Sequence, residues 1–368
     1  MTKRFNTGYK ITVIILSILV AMLIRAVILI AIGADVLKTY LVILTEPLKN
    51  KIGITEVLLR MIPLTIVALG ITVAYRSGII NIGAEGQMAM GILATTAIAL
   101  LFPNLPSAVL IPFAILAGAL GGAFWGFIPG FLKAKLEVSE LLSTVMLNYI
   151  AAQFYTFFLR GPMLDPAELT MGSGTPQSMR LTRNIDLTRL IPGTRLHSGI
   201  FIAIGLAILI YFLLWKTSYG FKMRAAGAQE RAARYGGINV PKYLIIAMAI
   251  SGAFAGMAGA IEIAGVHRRA IEGVTSGYGF SGIVVALFGG LHPAGILPAA
   301  FFFGLLLYGA DMTQRLVGVP ANMVQVLQGV IILVIVSSKM ILANPYLQQR
   351  VETKWHALTK QSHKEVQA

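Results

Sequence analysis

Residues Tyr219 to Asn239 read YGFKMRAAGAQERAARYGGIN. This is the longest polar interruption between apolar segments that still has the composition of an ordered helix. Arg224, Arg231 and Arg234 stand among Ala225, Ala226, Ala228, Ala232 and Ala233, and Gly236-Gly237 closes the run. Alanine and arginine favour helix, and a glycine pair ends one. An apolar run long enough to cross a bilayer precedes the segment and another follows it. The stretch therefore predicts a short helix held parallel to a membrane on one side. Two roles fit its chemistry: a lever that a partner pushes, or a basic helix resting on anionic lipid.

Composition supports the membrane frame on which that reading depends. Of 368 residues, 57% are hydrophobic and 12% charged, with a mean hydropathy of +0.79. A soluble domain is far less apolar, and here the apolar residues come in runs of about 18 or more, the signal of membrane spans. No polar block is long enough to fold separately, so residues 1–368 are expected to form one transmembrane domain. The net charge of +15 is read as the bias of Lys and Arg toward cytoplasmic loops, not as a nucleic-acid surface. The absence of cysteine excludes disulfides and thiolate metal sites.

Ten spans are predicted, at about 11–33, 57–75, 84–102, 108–131, 139–159, 199–216, 240–265, 278–291, 295–312 and 321–338. The first follows a basic start like that of a signal peptide, but its apolar part is too long and lacks a small-residue cleavage site. Arg25 within it is expected to snorkel or pair. With the N-terminus inside, cytoplasmic segments hold 17 Lys and Arg against 12 outside, which predicts both termini and the 219–239 helix on the cytoplasmic side. The 160–198 loop is then an outer surface for a soluble partner, or merely a long loop. Spans two to five and seven to ten form a coarse inverted repeat. Each half holds a glycine-interrupted segment, Gly78 to Gly91 and Gly277 to Gly295, and paired broken spans point to a midplane pathway.

Several polar residues are candidates for that pathway or its gate. In NIGAEGQMAMG (81–91), Asn81 and Glu85 are explained equally well as a cap and a first-turn acid, whereas the Gln87 amide needs a partner or a wet cavity. Asn148, inside the fifth span, should face protein or water. Its neighbour Tyr149, or Phe154, could stack on a planar substrate, although such rings more often pack or form an interfacial belt. Glu262, toward the outer end of the seventh span, points to an external mouth near His267, Arg268 and Arg269, or to a structural ion pair. The four-residue spacing of Gly118, Gly122, Gly126 and Gly130, and of Gly252 and Gly256, is read as helix packing. The run GYGFSG (277–282) matches a dinucleotide fingerprint, but without a surrounding βαβ unit the match is fortuitous. No phosphate-binding Gly-Lys-Ser/Thr loop, HExxH or nucleophile–base set occurs, so the chain is not read as an enzyme.

Taken together, NIGAEGQMAMG (81–91), STVMLNYIAAQ (143–153), MRAAGAQERAARYGGI (223–238), ISGAFAGMAGAIEIAGV (250–266) and GYGFSGIVVALFGGLHPAG (277–295) resemble the permease subunits of bacterial ABC importers of the branched-chain amino acid and sugar type. The nucleoside branch, served by a basic-membrane-protein-type lipoprotein, is most similar. The resemblance implies an all-α membrane protein of about ten helices in the inner membrane, working with an ABC ATPase, a second permease chain, usually a different homologue, and an outer substrate-binding lipoprotein. It implies that this chain binds no cofactor and that ATP sits on the ATPase. The 219–239 coupling helix would dock on that ATPase through Arg224, Ala225, Gly227, Glu230, Arg231, Arg234, Tyr235 and Gly236. Tyr278, in the last motif, joins Asn81, Glu85, Gln87, Asn148, Tyr149 and Glu262 as a pathway residue. The family often has Asn-Pro after the Ala-Gly pair, where this chain has Ala228, Gln229 and Glu230. Nucleosides are the expected cargo, with simple sugars or branched-chain amino acids as the alternative. An ion-coupled secondary transporter is the alternative of another class.

Overall fold

The computed structural model describes residues 33–319 except Ser173, together with residues 16, 19, 20, 22–24, 26–31, 329 and 334. The described residues are helical, with only isolated β-bridges among the loops. Eleven helices matter here: α1 Val36–Lys49, α2 Lys51–Arg76, α3 Ala84–Leu101, α4 Ser107–Leu136, α5 Glu140–Arg160, α6 Gly199–Lys216, α7 Ser218–Ala228, α8 Glu230–Tyr235, α9 Val240–Glu262, α10 Tyr278–Phe288 and α11 Pro293–Val317. Leu44–Gly309 form one compact unit. In the other, Leu29, Ala310 and Val319 are buried together.

Among the described residues, seven helices are long and apolar enough to cross a membrane: α2 to α6, α9 with its terminal π-turn, and α11. They match seven of the ten predicted spans within a few residues. The predicted first and last spans, Arg25, and the orientation of both termini lie largely outside the described residues. The eighth predicted span is corrected. Residues 278–291 contain only the 11-residue α10, which at 1.5 Å per residue is about 16 Å long, half of a hydrocarbon core of about 30 Å. Its glycine-rich flanks, Gly273, Gly277 and Gly290, all have positive φ, so the chain turns at both ends instead of continuing the helix. The sequence reading passed over α1.

Helix α9 packs along α4, with α2 and α3 also against it. The α4–α9 seam is made of backbone. A β-carbon on Gly122 would fall 2.2 Å from the Gly252 carbonyl oxygen, and one on Gly256 would fall 2.1 Å from that of Gly118. The glycine spacing read from sequence as packing is therefore the helix–helix contact itself. Small residues permit such an approach where lipid offers no hydrophobic drive between helices.

Residues 174–198 cover the segment after α9. Ser178 and Leu181 donate backbone N–H groups to Ala270 and Arg268, Leu187 donates to Ala264, and Arg268 pairs with Asp186. At its end His197 is buried, accepts the Gly199 N–H through Nδ1 and lies against Gly265. Burial pushes the imidazole down to about 4.

Two predictions follow from this packing. Gly122→Leu or Gly256→Leu should destabilise the permease unit by about 1–3 kcal/mol or more through overpacking, read as a lower thermal midpoint in detergent; an unchanged midpoint would contradict the seam. For His197, the unfolded chain takes up the proton first, near pH 6.5, because the folded-state value is depressed. Its contribution is therefore complete above pH 6.5 and declines as pH falls toward about 4, by up to about 1.4 kcal/mol per pH unit. A His197→Gln chain should show a flatter dependence of thermal midpoint on pH across that window.

Candidate functional site

Two irregular segments, 77–83 before α3 and 268–277 before α10, enter the helical unit, and polar side chains gather on them. Asn81 is fully buried. Its amide nitrogen donates to Gln87 Oε1 and to Ser251 Oγ, each at 2.8 Å, and its oxygen accepts the Gly83 N–H at 2.9 Å and the Gln87 amide at 3.2 Å. Ser251 stands at the middle of α9, so the start of α3 lies at the half-depth of a spanning helix. Asn148 closes the same turn from α5: its Oδ1 accepts the Gly86 N–H and its Nδ2 donates to the Ile82 carbonyl.

Glu85, in the first turn of α3, does not serve that helix alone. Its carboxylate accepts the Gly277 N–H at 3.1 Å and the Gly279 N–H at 2.7 Å, and also bonds the Thr275 side chain and the Phe280 N–H. These are the open amides at the start of α10, where a helix carries its positive dipole end. Tyr278 sits half-buried between the two glycines. Gly279 has no room for a side chain, since a β-carbon there would fall 2.3 Å from the Glu85 nitrogen. The other end of α10 is held by Arg76 from α2, whose Nε donates to the Leu291 carbonyl at 3.0 Å and whose Nη2 donates to that of Gly290 at 3.2 Å.

A second cluster lies at the opposite ends of α2 and α9. Arg195 makes a two-pronged bond to Glu56, Nε to Oε1 at 2.8 Å and Nη2 to Oε2 at 2.6 Å. Glu262 is buried beside it, 3.6 Å from His267 and within electrostatic reach of Arg60 and Arg195. The guanidinium of Arg60 lies over the Tyr308 ring. Carboxylates and guanidiniums buried in apolar spans face partners or a water route.

Asn81, Glu85, Gln87, Asn148 and Tyr278 thus come together around the starts of α3 and α10. Glu262 belongs to the other cluster. Tyr149 joins neither: it is 67% exposed on α5, while Phe154 stacks on Trp125. Asn81 does not cap α3, whose N-cap is Gly83; its bond to the Gly83 amide is made within the turn ahead of the helix. Of the basic residues read beside Glu262, Arg268 pairs with Asp186 and Arg269 donates to Gln177. Sequence reasoning passed over Ser251, Arg76, Glu56 and Arg195. Glu56 and Arg60, one helical turn apart beside an apolar run, were the available signal.

The 219–239 segment is two helices, not one. Gln229 is extended (φ −157°, ψ 104°) and serves both as the C-cap of α7 and the N-cap of α8. Arg224, Ala225 and Gly227 are half-buried on α7, whereas Glu230, Arg231, Arg234, Tyr235 and Gly236 are exposed, with Glu230 and Arg234 paired at 2.6 Å. Gly227 meets the end of α2: a β-carbon on it would fall 2.3 Å from the Arg76 carbonyl oxygen and 2.6 Å from the Gly78 nitrogen.

Residues 53–336 match the family model for the permease component of the branched-chain amino acid transport system. The chain belongs to this permease family. Among curated relatives it is 36% identical to a guanosine ABC transporter permease protein of Bacillus subtilis, over 77% of this chain and 80% of that one. It is 34% identical to a nucleoside ABC transporter permease protein of Lactococcus lactis subsp. cremoris, over 89% and 91%. It is 33% identical to a glucose ABC transporter permease protein of Haloferax volcanii, over 88% and 87%. The permease is therefore a multi-pass membrane transport subunit and not an enzyme.

In this permease, Asn81→Leu should strand Gln87 and the Gly83 amide, costing about 1–3 kcal/mol per unsatisfied buried group. Glu85→Ala should release the start of α10. Hydrogen exchange is expected to speed up at Gly277, Gly279 and Phe280 while amides in the middle of α9 keep their protection. Unchanged exchange at those three amides would contradict the role given to Glu85.

Proposed function

We propose that this chain is the membrane subunit of an ATP-driven importer that moves nucleosides inward. The observation that carries the choice of cargo is the pair of relatives named for guanosine and nucleoside transport, at 36% and 34% identity. A glucose permease at 33% identity over 88% of the chain supports a simple sugar as the second reading. In this proposal residues 1–368 form one permease domain with an inverted repeat, in which the short α10 stands in place of the eighth of ten predicted spans, in a bacterial inner membrane with both termini cytoplasmic. An outer lipoprotein delivers substrate, a second and different permease chain completes the pathway, and ATP is bound and hydrolysed on a separate ABC ATPase. Membership of an ABC permease family weighs against an ion-coupled carrier.

The coupling segment divides its labour. Arg231, Arg234 and Tyr235 face outward and meet the ATPase; Tyr235 is 94% exposed and of a type that anchors interfaces. Gly227 and Arg224 face inward. Displacement of α7 presses on residues 76–78 through the Gly227 contact. From there it reaches Asn81, with its bonds to α9, and Glu85, with its bonds to α10. Asn81, Glu85, Gln87 and Asn148 are in this reading the joint about which the pathway opens, and Glu262 with Glu56 and Arg195 forms the outer latch. Close-packed contacts transmit such shifts because they hold discrete arrangements and do not deform smoothly.

Proteoliposomes carrying the permease with its ATPase, second permease and lipoprotein should accumulate labelled guanosine or uridine when ATP is supplied. Accumulation of glucose but neither nucleoside would decide for the sugar reading. In the same assembly, Gly227→Ala is expected to lower uptake at least tenfold while ATP hydrolysis continues, and Tyr235→Ala to weaken ATPase binding about tenfold. Wild-type transport by both variants would refute the coupling role of this segment.

A further inference from the structure

A cleft of about 430 Å³ opens where α2 ends, lined by residues that include Tyr75, Arg76, Phe221, Arg224, Gly227 and Leu291. Arg76 and Arg224 both lie over the indole of Trp215, 5.5 Å and 5.8 Å from the ring centroid. Their Nε groups are used on backbone carbonyls, Arg76 on Leu291 and Arg224 on Leu214. Among the described residues neither guanidinium has a carboxylate within ion-pair distance, and Arg224 acts electrostatically on Arg76. Arg76 also spends Nη2 on the Gly290 carbonyl, so two like charges on one ring, both lining the cleft and with the remaining N–H groups unspent on carboxylates, form a receptor for an anion. Guanidinium forks match the oxygens of phosphate.

The position of the cleft selects the source of that anion. Arg76 closes one spanning helix and Trp215 stands one residue from the end of another, α6. Tryptophan and arginine at span ends mark the headgroup level of a bilayer. Along α6, Phe201, Ile204, Ile208 and Phe212 are exposed at helical spacing, an apolar stripe that runs up to Trp215. Acyl chains fit that stripe while a headgroup reaches the guanidiniums. Basic pockets between spanning helices are a recurrent form of anionic headgroup site.

We propose that the cleft lined by Arg76 and Arg224, beside Trp215, binds the phosphodiester headgroup of an anionic phospholipid. The bound lipid sits against Gly227 and the end of α2, the contact through which α7 reaches the rest of the unit. The proposal rests on reading the chain as a membrane permease but not on its cargo. Loss of lipid preference would leave the uptake result standing, and failure of nucleoside uptake would leave the lipid result standing.

The test uses the full chain with Trp125 and Trp355 replaced by phenylalanine, which leaves Trp215 as the sole tryptophan. It is reconstituted in phosphatidylcholine vesicles containing tail-brominated phosphatidylglycerol or, in parallel, tail-brominated phosphatidylcholine. Quenching of Trp215 should show at least a fivefold preference for phosphatidylglycerol. The preference should be kept by Arg224→Lys and fall to near unity in Arg224→Gln. Equal quenching by the two lipids overturns the proposal, and this comparison needs no variant at the guanidiniums. So does an Arg224→Gln chain that remains folded by circular dichroism and keeps the full preference. Inorganic phosphate at 20 mM is expected to leave the preference intact. If phosphate instead shifts Trp215 emission in a chain that shows no lipid preference, the cleft belongs to a soluble phosphate and the lipid proposal fails.

Discussion

Inside a hydrocarbon layer a backbone amide or carbonyl has no water to bond, so irregular chain survives at depth only where protein supplies the partners. Segments 77–83 and 268–277 impose that demand here. Arg76 and Glu85 hold the two ends of α10, one on the carbonyls of the turn just past it and one on the amides at its start. Asn148 spans the turn into α3, and Asn81 ties that turn to the middle of α9. The polar residues of the interior are thus engaged first in satisfying main chain.

That arrangement changes the meaning of the candidate pathway residues. A buried amide such as Gln87 reads in sequence as a pore-lining group or a packing group with equal force. Bonded to Asn81, it lies 1% exposed in a network whose polar groups bond one another. The Glu56–Arg195 pair ties the loop before α6 to α2 in a comparable way. Between the two clusters run α2 and α9, packed closely enough that a β-carbon on Gly70 would strike the Phe254 β-carbon at 2.7 Å.

Helix α7 meets the same unit through glycine. Gly227 and Gly78 touch main chain to main chain, and Gly78 has φ +84°, a conformation that side chains rarely adopt. Arg224, read from sequence as a surface charge for a partner, turns inward to Trp215 and the Leu214 carbonyl. The break at Gln229 separates this inward helix from an outward one, so one face is fixed to the spans while Tyr235 stands free of them.

Sequence alone determined the membrane class, seven span positions to within a few residues, and the glycine faces of α4 and α9, because apolar run length and small-residue spacing are local properties of the chain. It also marked 78–91 and 277–295 as glycine-interrupted, and irregular chain lies in both, ahead of α3 and of α10. What it could not decide was which groups meet. Glu85 and Gly279 are far apart in the chain, as are Arg76 and Leu291, and nothing local distinguishes a carboxylate that caps its own helix from one that reaches the next. Only the tertiary structure assigned Glu85 to α10, separated Tyr149 from Asn148, and brought two arginines around one tryptophan. Those outcomes depend on how helices pack, which sequence periodicity constrains by face but not by partner.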